Sequence, residues 1–249
     1  FFFSIAVVVN SRPSRLHPPP SHITGRPPPL RSIRGTMDWE EALKTYWLNY
    51  AGKISARDKM YRLVQYSSRM IYFQLDQSGA PKETVAWVKH ISKYCSTGRK
   101  FIRLGKFIDN WYKAYKHLCK YSISLTSEQD LINCLKLMGY IADAIFYWWD
   151  ALAWLEGAKM MKFPSLQVKH RRTQWNMYRY TLKAIRDFLA LRTIPTGTKK
   201  YYSVRRIALK SSLDVLNPIS GLKYYKLNDG QLGLLGTMTS LISIFDDFN

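Results

Sequence analysis

The stretch WVKHISKYCSTGRKFIRLGKFIDNWYKAY, residues 87–115, decides the fold class. Trp87, Ile91, Tyr94, Gly98, Phe101, Gly105, Ile108, Tyr112 and Tyr115 follow one another by steps of four and three, the period of one face of an α-helix. Lys89, Lys93, Lys100 and Arg103 fall away from that seam. A helix with a wide aromatic and aliphatic face and a cationic back suits the headgroup layer of an anionic membrane. The same stepping fits the seam of a helix bundle or coiled coil, and periodicity alone does not separate the two.

Outward from this stretch the pattern stays helical. Ser78, Gly79, Ala80 and Pro81 precede it, so the seam helix is expected over 82–120. Its length of about 39 residues exceeds the usual globular range and calls for a kink or break near Gly98 or Gly105. Upstream, a short amphipathic helix over 37–51 offers Trp39, Leu43, Tyr46 and Trp47 for packing. Ser55 with Asp58 then reads as a capping box opening a helix to about Leu75.

Downstream, Ser127 and Asp130 open a strongly apolar helix over 131–155. Within it Asp143 and Asp150 share a face, and each would cost about 2.5–3.5 kcal/mol at a bilayer centre. Ion pairing with Lys or Arg of a neighbouring helix is their expected fate. Trp175, Tyr178, Leu182, Ile185 and Leu189 mark a further helix ended by Pro195 and Gly197, and another is expected from Ser203 to Leu216, before Asn217 and Pro218. Residues 230–245 carry no charge and hold Gly230, Gly233 and Gly236. As a helix they span about 24 Å, short of a hydrocarbon core of about 30 Å, and small residues at this spacing favour tight helix packing and oligomerisation in lipid.

The expected fold is therefore all-α: a helical membrane-associated protein with amphipathic helices and one or two hydrophobic membrane segments, at 131–155 and 230–245. Residues 37–249 read as one helical domain. Residues 1–36 hold seven of the eleven prolines and no acid, and are expected to be a disordered Pro/Arg-rich extension from upstream of the functional start at Met37. The number of spans and the topology stay open.

Charge sharpens the reading. The 249 residues carry 38 Lys and Arg against 17 Asp and Glu, a net +21 that requires an acidic partner or surface. Anionic phospholipid and nucleic acid both qualify. The nucleic-acid reading rests on Arg171 and Arg172 with Trp175, Tyr178, Arg179 and Tyr180; against it, 131–155 and 230–245 are too apolar for a nucleic-acid binder. Cys95, Cys119 and Cys134 show no CxxC spacing and read as reduced thiols of an intracellular protein. The five histidines are scattered, so no metal site is expected. No phosphate loop, nucleophile elbow or HExxH motif occurs, so the chain is not expected to be an enzyme or to hold a cofactor.

Ser96-Thr97-Gly98-Arg99-Lys100-Phe101-Ile102-Arg103-Leu104-Gly105-Lys106 resembles the signature of the peroxisomal biogenesis factor 11 family. Arg57-Asp58-Lys59 with Val64-Gln65-Tyr66 is similar to that family's element near the N-terminus, with Ala56 where glycine is commoner. Asn228-Asp229-Gly230 through Gly236 to Ser240 resembles its closing glycine-rich segment. The resemblance implies a membrane protein of peroxisomes or glycosomes that elongates and divides the organelle membrane by amphipathic-helix insertion. It also implies self-association and partnership with dynamin-type fission machinery and its membrane adaptors. On this reading Lys89, Lys93, Arg99, Lys100, Arg103 and Lys106 form the membrane-binding cationic face. Trp87, Ile91, Tyr94, Phe101, Ile108, Tyr112 and Tyr115 insert, and Gly230, Gly233 and Gly236 carry helix packing and oligomerisation. A metabolite pore with Asp143 and Asp150 along a polar path is the alternative.

Overall fold

The computed structural model describes residues 53–121 and 126–248. The chain divides into two units, residues 1–44 and 45–249, and every described residue belongs to the second. The expected helix over 37–51 and the Pro/Arg-rich extension lie outside the described residues.

Among the described residues the secondary structure is helical throughout: α1 (Ile54–Gln77), α2 (Lys82–Ile102), α3 (Lys106–Lys120), α4 (Glu128–Gly157), α5 (Ser165–Arg192), α6 (Lys199–Gly221) and α7 (Asp229–Phe248). Turn chemistry sets most boundaries. Gly79, at φ 73°, closes α1, and Pro81 opens α2, where it accepts from the Val85 N–H at 3.2 Å. The Ser127 side chain accepts from the Asp130 N–H at 3.1 Å to cap α4. At the start of α7, Asn228 accepts from the Gln231 N–H at 2.8 Å while the Gln231 side chain returns to the Asn228 N–H at 3.1 Å, a reciprocal box.

Two boundaries depart from the sequence expectation, the start of α1 and the end of α6, and the break expected in the seam helix falls at Gly105. Ser55 does not cap α1, because the helix starts before it with Lys53 in the cap position. The seam helix is two helices: Gly105 takes φ 83°, a left-handed conformation that costs glycine little, and the chain turns there from α2 into α3. The sixth helix runs on through Pro218 to Gly221. A proline in that last turn displaces little helical bonding, and its carbonyl still accepts from Leu222 at 2.9 Å.

The helices form a cycle of neighbours. α1 packs between α2 and α7; α7 meets α6, α6 meets α5, α5 meets α4, and α4 meets α3, which the Gly105 turn joins back to α2. The α1–α7 contact depends on small residues. A methyl group on Gly233 would sit 2.5 Å from the Met70 backbone nitrogen, and one on Gly230 2.5 Å from the Phe73 ring. At Gly236 it would overlap the Tyr66 ring. Thr239 and Ser240 complete the stripe, fully buried, and the Ser240 hydroxyl donates to the Gly236 carbonyl at 2.6 Å. The three glycines therefore pack within the chain. The oligomerisation assigned to them would require α1 to move aside.

Polarity is distributed inside out. Among the described residues many of the buried hydrophobic side chains are small, Ala56, Ala114, Ala142, Ala144 and Ala208, beside the larger Tyr66, Leu137, Phe146 and Leu232, while Asp143, Asp150, Arg179, Asp187 and Asp214 are buried charges. Each has partners. Arg62 of α1 pairs with Asp214 of α6 and donates to Thr239 of α7 at 2.8 Å. Burial opposes its charge, but the Asp214 carboxylate outweighs it and holds the guanidinium protonated well above its ordinary range. Arg179 reaches Asp143 at 3.3 Å with its guanidinium 3.9 Å from the Phe146 ring centre, and Lys183 reaches Asp143 at 2.8 Å. Asp187 accepts from Ser211 at 2.9 Å and pairs with Arg186. Removing one partner of such a pair costs about 3–5 kcal/mol, because the other charge is left buried.

No helix among the described residues is long and apolar enough to cross a membrane. The segments 131–155 and 230–245 are helical, but α4 carries Asp143 and Asp150 into the ion-paired interior.

Candidate functional site

The seam divides α2 into three sectors. Trp87, Tyr94 and Phe101 are exposed, Tyr94 by 73% and Phe101 by 58%, and Ile91 is half-buried at their edge. Val88 and Ser92 turn instead to α1, where the Ser92 hydroxyl donates to the Gln65 carbonyl at 2.9 Å. Lys89 and Lys93 occupy the third sector and are exposed. The aromatic seam is not the bundle core; the narrow Val88–Ser92 stripe is.

α3 repeats the pattern. Asn110, Ala114 and His117 face the protein, with the His117 Nε2 2.9 Å from the Asn133 carbonyl of α4. Ile108, Tyr112 and Tyr115 face away, together with Trp111 and Leu118, which the seam stepping left out. Ile108, Trp111, Tyr115 and Leu118 follow the same period on an adjoining row, so a wider apolar window would have found them. Lys113, Lys116 and Lys120 are exposed beside this face, and Lys116 lies 4.7 Å from the Tyr112 ring centre. Lysines flanking an aromatic face can keep their charge at headgroup level while their stems lie on apolar surface.

The signature cations are placed differently from the sequence assignment. The Arg99 Nε donates to Asp58 of α1 at 2.9 Å, and its Nη1 donates to Gln65 at 2.9 Å. Arg103 bridges two carboxylates, Asp58 at 3.6 Å and Asp150 of α4 at 3.4 Å, and Lys106 approaches Asp58 at 3.8 Å. Arg172 of α5 reaches Asp150 at 3.3 Å. Arg99 and Arg103 are only 11% and 10% exposed at the side chain. They belong to an internal hub joining α1, α2, α4 and α5, and the reason is complementarity: Asp58 and Asp150 supply the countercharge that solvent would otherwise provide.

Burial by itself would raise the Asp58 pKa, but Arg99, Arg103 and Lys106 outweigh it and hold the carboxyl below its ordinary value. Burial lowers Lys100, and the neighbouring Arg172 lowers it further. Of the six assigned membrane-binding cations, Lys89 and Lys93 face outward, Lys100 and Lys106 are half-buried, and Arg99 and Arg103 are internal.

Among the described residues no cluster of His, Cys, Asp and Glu could hold a metal ion. Cys95, Cys119 and Cys134 are unpaired.

Fold and site together define an all-helical protein that gathers its charges into an internal network and turns its aromatics outward. The profile of the family described as "Peroxisomal biogenesis factor 11 (PEX11)" matches residues 45–200 and 195–247. The chain is 22% identical over 221 residues to "Peroxisomal biogenesis factor 11" of Schizosaccharomyces pombe, covering 80% of this chain and 92% of that one. It is 24% identical to "Peroxisomal membrane protein PMP30B" of Candida boidinii over 82% of this chain and 94% of the other. With "Peroxisomal membrane protein 11A" of Homo sapiens the identity is 21%, over 77% and 91% of the two chains. No solved structure matches the chain significantly. The chain belongs to the peroxisomal biogenesis factor 11 family, and it is a peroxisomal membrane protein involved in peroxisome biogenesis.

Proposed function

We propose that this chain elongates the peroxisomal membrane and promotes its division by seating the outer face of α2 and α3 in the cytosolic leaflet. One observation carries the reading: Trp87, Tyr94, Phe101, Ile108, Trp111, Tyr112 and Tyr115 are exposed on helices whose opposite faces are already packed. An exposed apolar patch of this width on a folded bundle calls for an apolar partner. Inserting such a face about 5–10 Å into one leaflet expands that leaflet relative to the other and bends the bilayer toward the protein. The exposed Lys89, Lys93, Lys113, Lys116 and Lys120 supply attraction to anionic phospholipid, about 1 kcal/mol for each cation near the surface.

The hydrophobic segments take part as lipid-contacting faces. On α7, Leu234, Met238, Leu241 and Phe245 are exposed opposite the glycine stripe, and on α4 Leu131, Met138 and Trp148 are exposed. Homo-oligomers concentrate these wedges through outward faces rather than through the packed glycines, and a dynamin-type fission machinery with its membrane adaptors then severs the elongated membrane. The pore alternative gains no support, since Asp143 and Asp150 are buried and held by cations. Nucleic acid is not a partner in this reading, because Arg179 is buried among rings and carboxylates.

Tubulation of anionic liposomes by the full chain tests the proposal. The wild-type protein should tubulate them, and a variant with Tyr94, Phe101, Trp111 and Tyr112 changed to Ser should bind weakly and leave them round. Undiminished tubulation by that variant would place the activity elsewhere.

A further inference from the structure

Away from the α2–α3 face, a groove of about 450 Å³ runs between α5 and α6. That size falls within the range of small-molecule sites, about 300–1,000 Å³. Its floor is Ala208, buried and too small to fill the space between the helices. Its walls are Phe188 and Leu191 of α5 with Tyr202 and Leu209 of α6; Phe188, Tyr202 and Leu209 are each about half exposed, with nothing from the described chain laid over them.

Two arginines, Arg205 and Arg206, also line the groove. Arg206 is committed elsewhere: it donates to Asp246 of α7 at 3.1 Å and lies 5.5 Å from the Phe245 ring centre. Arg205, also lining the groove, is exposed. Asp187 and Asp214, the carboxylates of α5 and α6, are occupied, Asp187 by Arg186 and Ser211, and Asp214 by Arg62. Tyr202, Arg205 and Leu209 stand three and four residues apart on α6, so they share a face extending about 10 Å along the axis. A guanidinium on the wall of an apolar trough is complementary to an amphiphile with an anionic head: the fork takes a phosphate in two parallel hydrogen bonds, and the apolar stretch beyond it takes the first part of a hydrocarbon chain.

We propose that the α5–α6 groove binds a single anionic phospholipid, its phosphate on Arg205 beside Tyr202 and one acyl chain over Ala208 between Phe188 and Leu209. This rests on the membrane reading above but places a stoichiometric lipid site on helices that the wedge does not use. Such a bound lipid would fix how α5 and α6 meet the headgroup layer.

The test uses the full chain purified in detergent, with native mass spectrometry as readout and short-chain phosphatidic acid as probe, against short-chain phosphatidylcholine and inorganic phosphate. The wild type should retain one phosphatidic acid, at least tenfold more tightly than phosphatidylcholine, and phosphate at equal concentration should not displace it. Arg205→Glu, an exposed substitution, should weaken retention at least tenfold; Ala208→Phe should do so by filling the trough, with its fold checked by circular dichroism. Unchanged retention in Arg205→Glu, equal retention of the zwitterionic lipid, or displacement by phosphate alone would overturn the site. Flotation of the same proteins with anionic vesicles separates the two readings. Wild type and Arg205→Glu that both float while lipid retention is unaltered would defeat the groove alone, whereas a wild type that does not float would defeat the membrane reading.

Discussion

The Arg99 Nε donates to the Asp58 carboxylate at 2.9 Å, joining two segments 41 residues apart that carry the resemblance to the family. Arg57-Asp58-Lys59 and the Arg99-to-Lys106 signature are thus two halves of one structural device. Asp58 alone meets Arg99, Arg103 and Lys106. The device holds the inner face of α2 to the bundle, so that the aromatic face can look outward.

Asp58→Asn should therefore loosen α2. It leaves three cations without their shared partner, and a hydrogen bond to a charged group contributes about 1.5–3 kcal/mol. The expected result is a loss of about 2–4 kcal/mol in denaturant unfolding, with hydrogen exchange rising first in α2.

The same carboxylate sets an acid limit. Its folded-state pKa lies below the ordinary 3.8, so its pairing contributes fully above that ordinary value and is lost as pH falls through the lower folded value. Wild-type stability should drop through that acid window, and Asp58→Asn should show a shallower drop. Parallel acid-unfolding curves for the two proteins would show that other carboxylates set the limit.

At the alkaline end the α1–α7 contact has its own titration. The Tyr72 hydroxyl donates to Asp229 at 2.5 Å, and burial together with that bond pushes its pKa up to about 12. A raised tyrosine contributes stability below its unfolded pKa of about 10, and that contribution is lost as pH rises through the folded value. The stability gap between wild type and Tyr72→Phe should close over that window.

Gly233→Leu should act on folding rather than on association. A side chain there meets the Met70 backbone, which cannot swing aside as a flexible side chain could. Overpacking of this kind costs about 1–3 kcal/mol or more. Thermal unfolding should shift down, and light scattering on the folded fraction should report an unchanged assembly state.

The all-helical fold was legible because its helices are long and their punctuation is ordinary: Pro81, Ser127 and the break at Gly105 all sit where composition put them. The seam was legible as a face, but its partner was not. A period of 3.6 fixes which residues share a side, whereas burial depends on what packs against it. For a related reason Arg99 and Arg103 lie inside the bundle, whereas Lys89 and Lys93 face outward. At about 100° per residue, Arg99 falls within about 20° of Val88, the centre of the packing stripe, so its buried side was readable. Ion pairing of Asp150 was expected, but which cations would meet it and Asp58 was not readable, because the partners come from different helices. The glycine spacing marked a close helix contact but did not say whose helix approaches, and here it is α1 of the same chain.

The most direct measurement places an environment-sensitive fluorophore at Tyr94→Cys on the seam and, separately, at Lys93→Cys in the lysine sector. Both go into a full chain with Cys95, Cys119 and Cys134 changed to Ser. On anionic vesicles the label at position 94 should shift to the blue and be quenched by lipids carrying a quencher in the acyl chain, while the label at 93 stays at headgroup level. A label at position 94 that remains in water, or one at 93 that enters the hydrocarbon more deeply, would contradict the account.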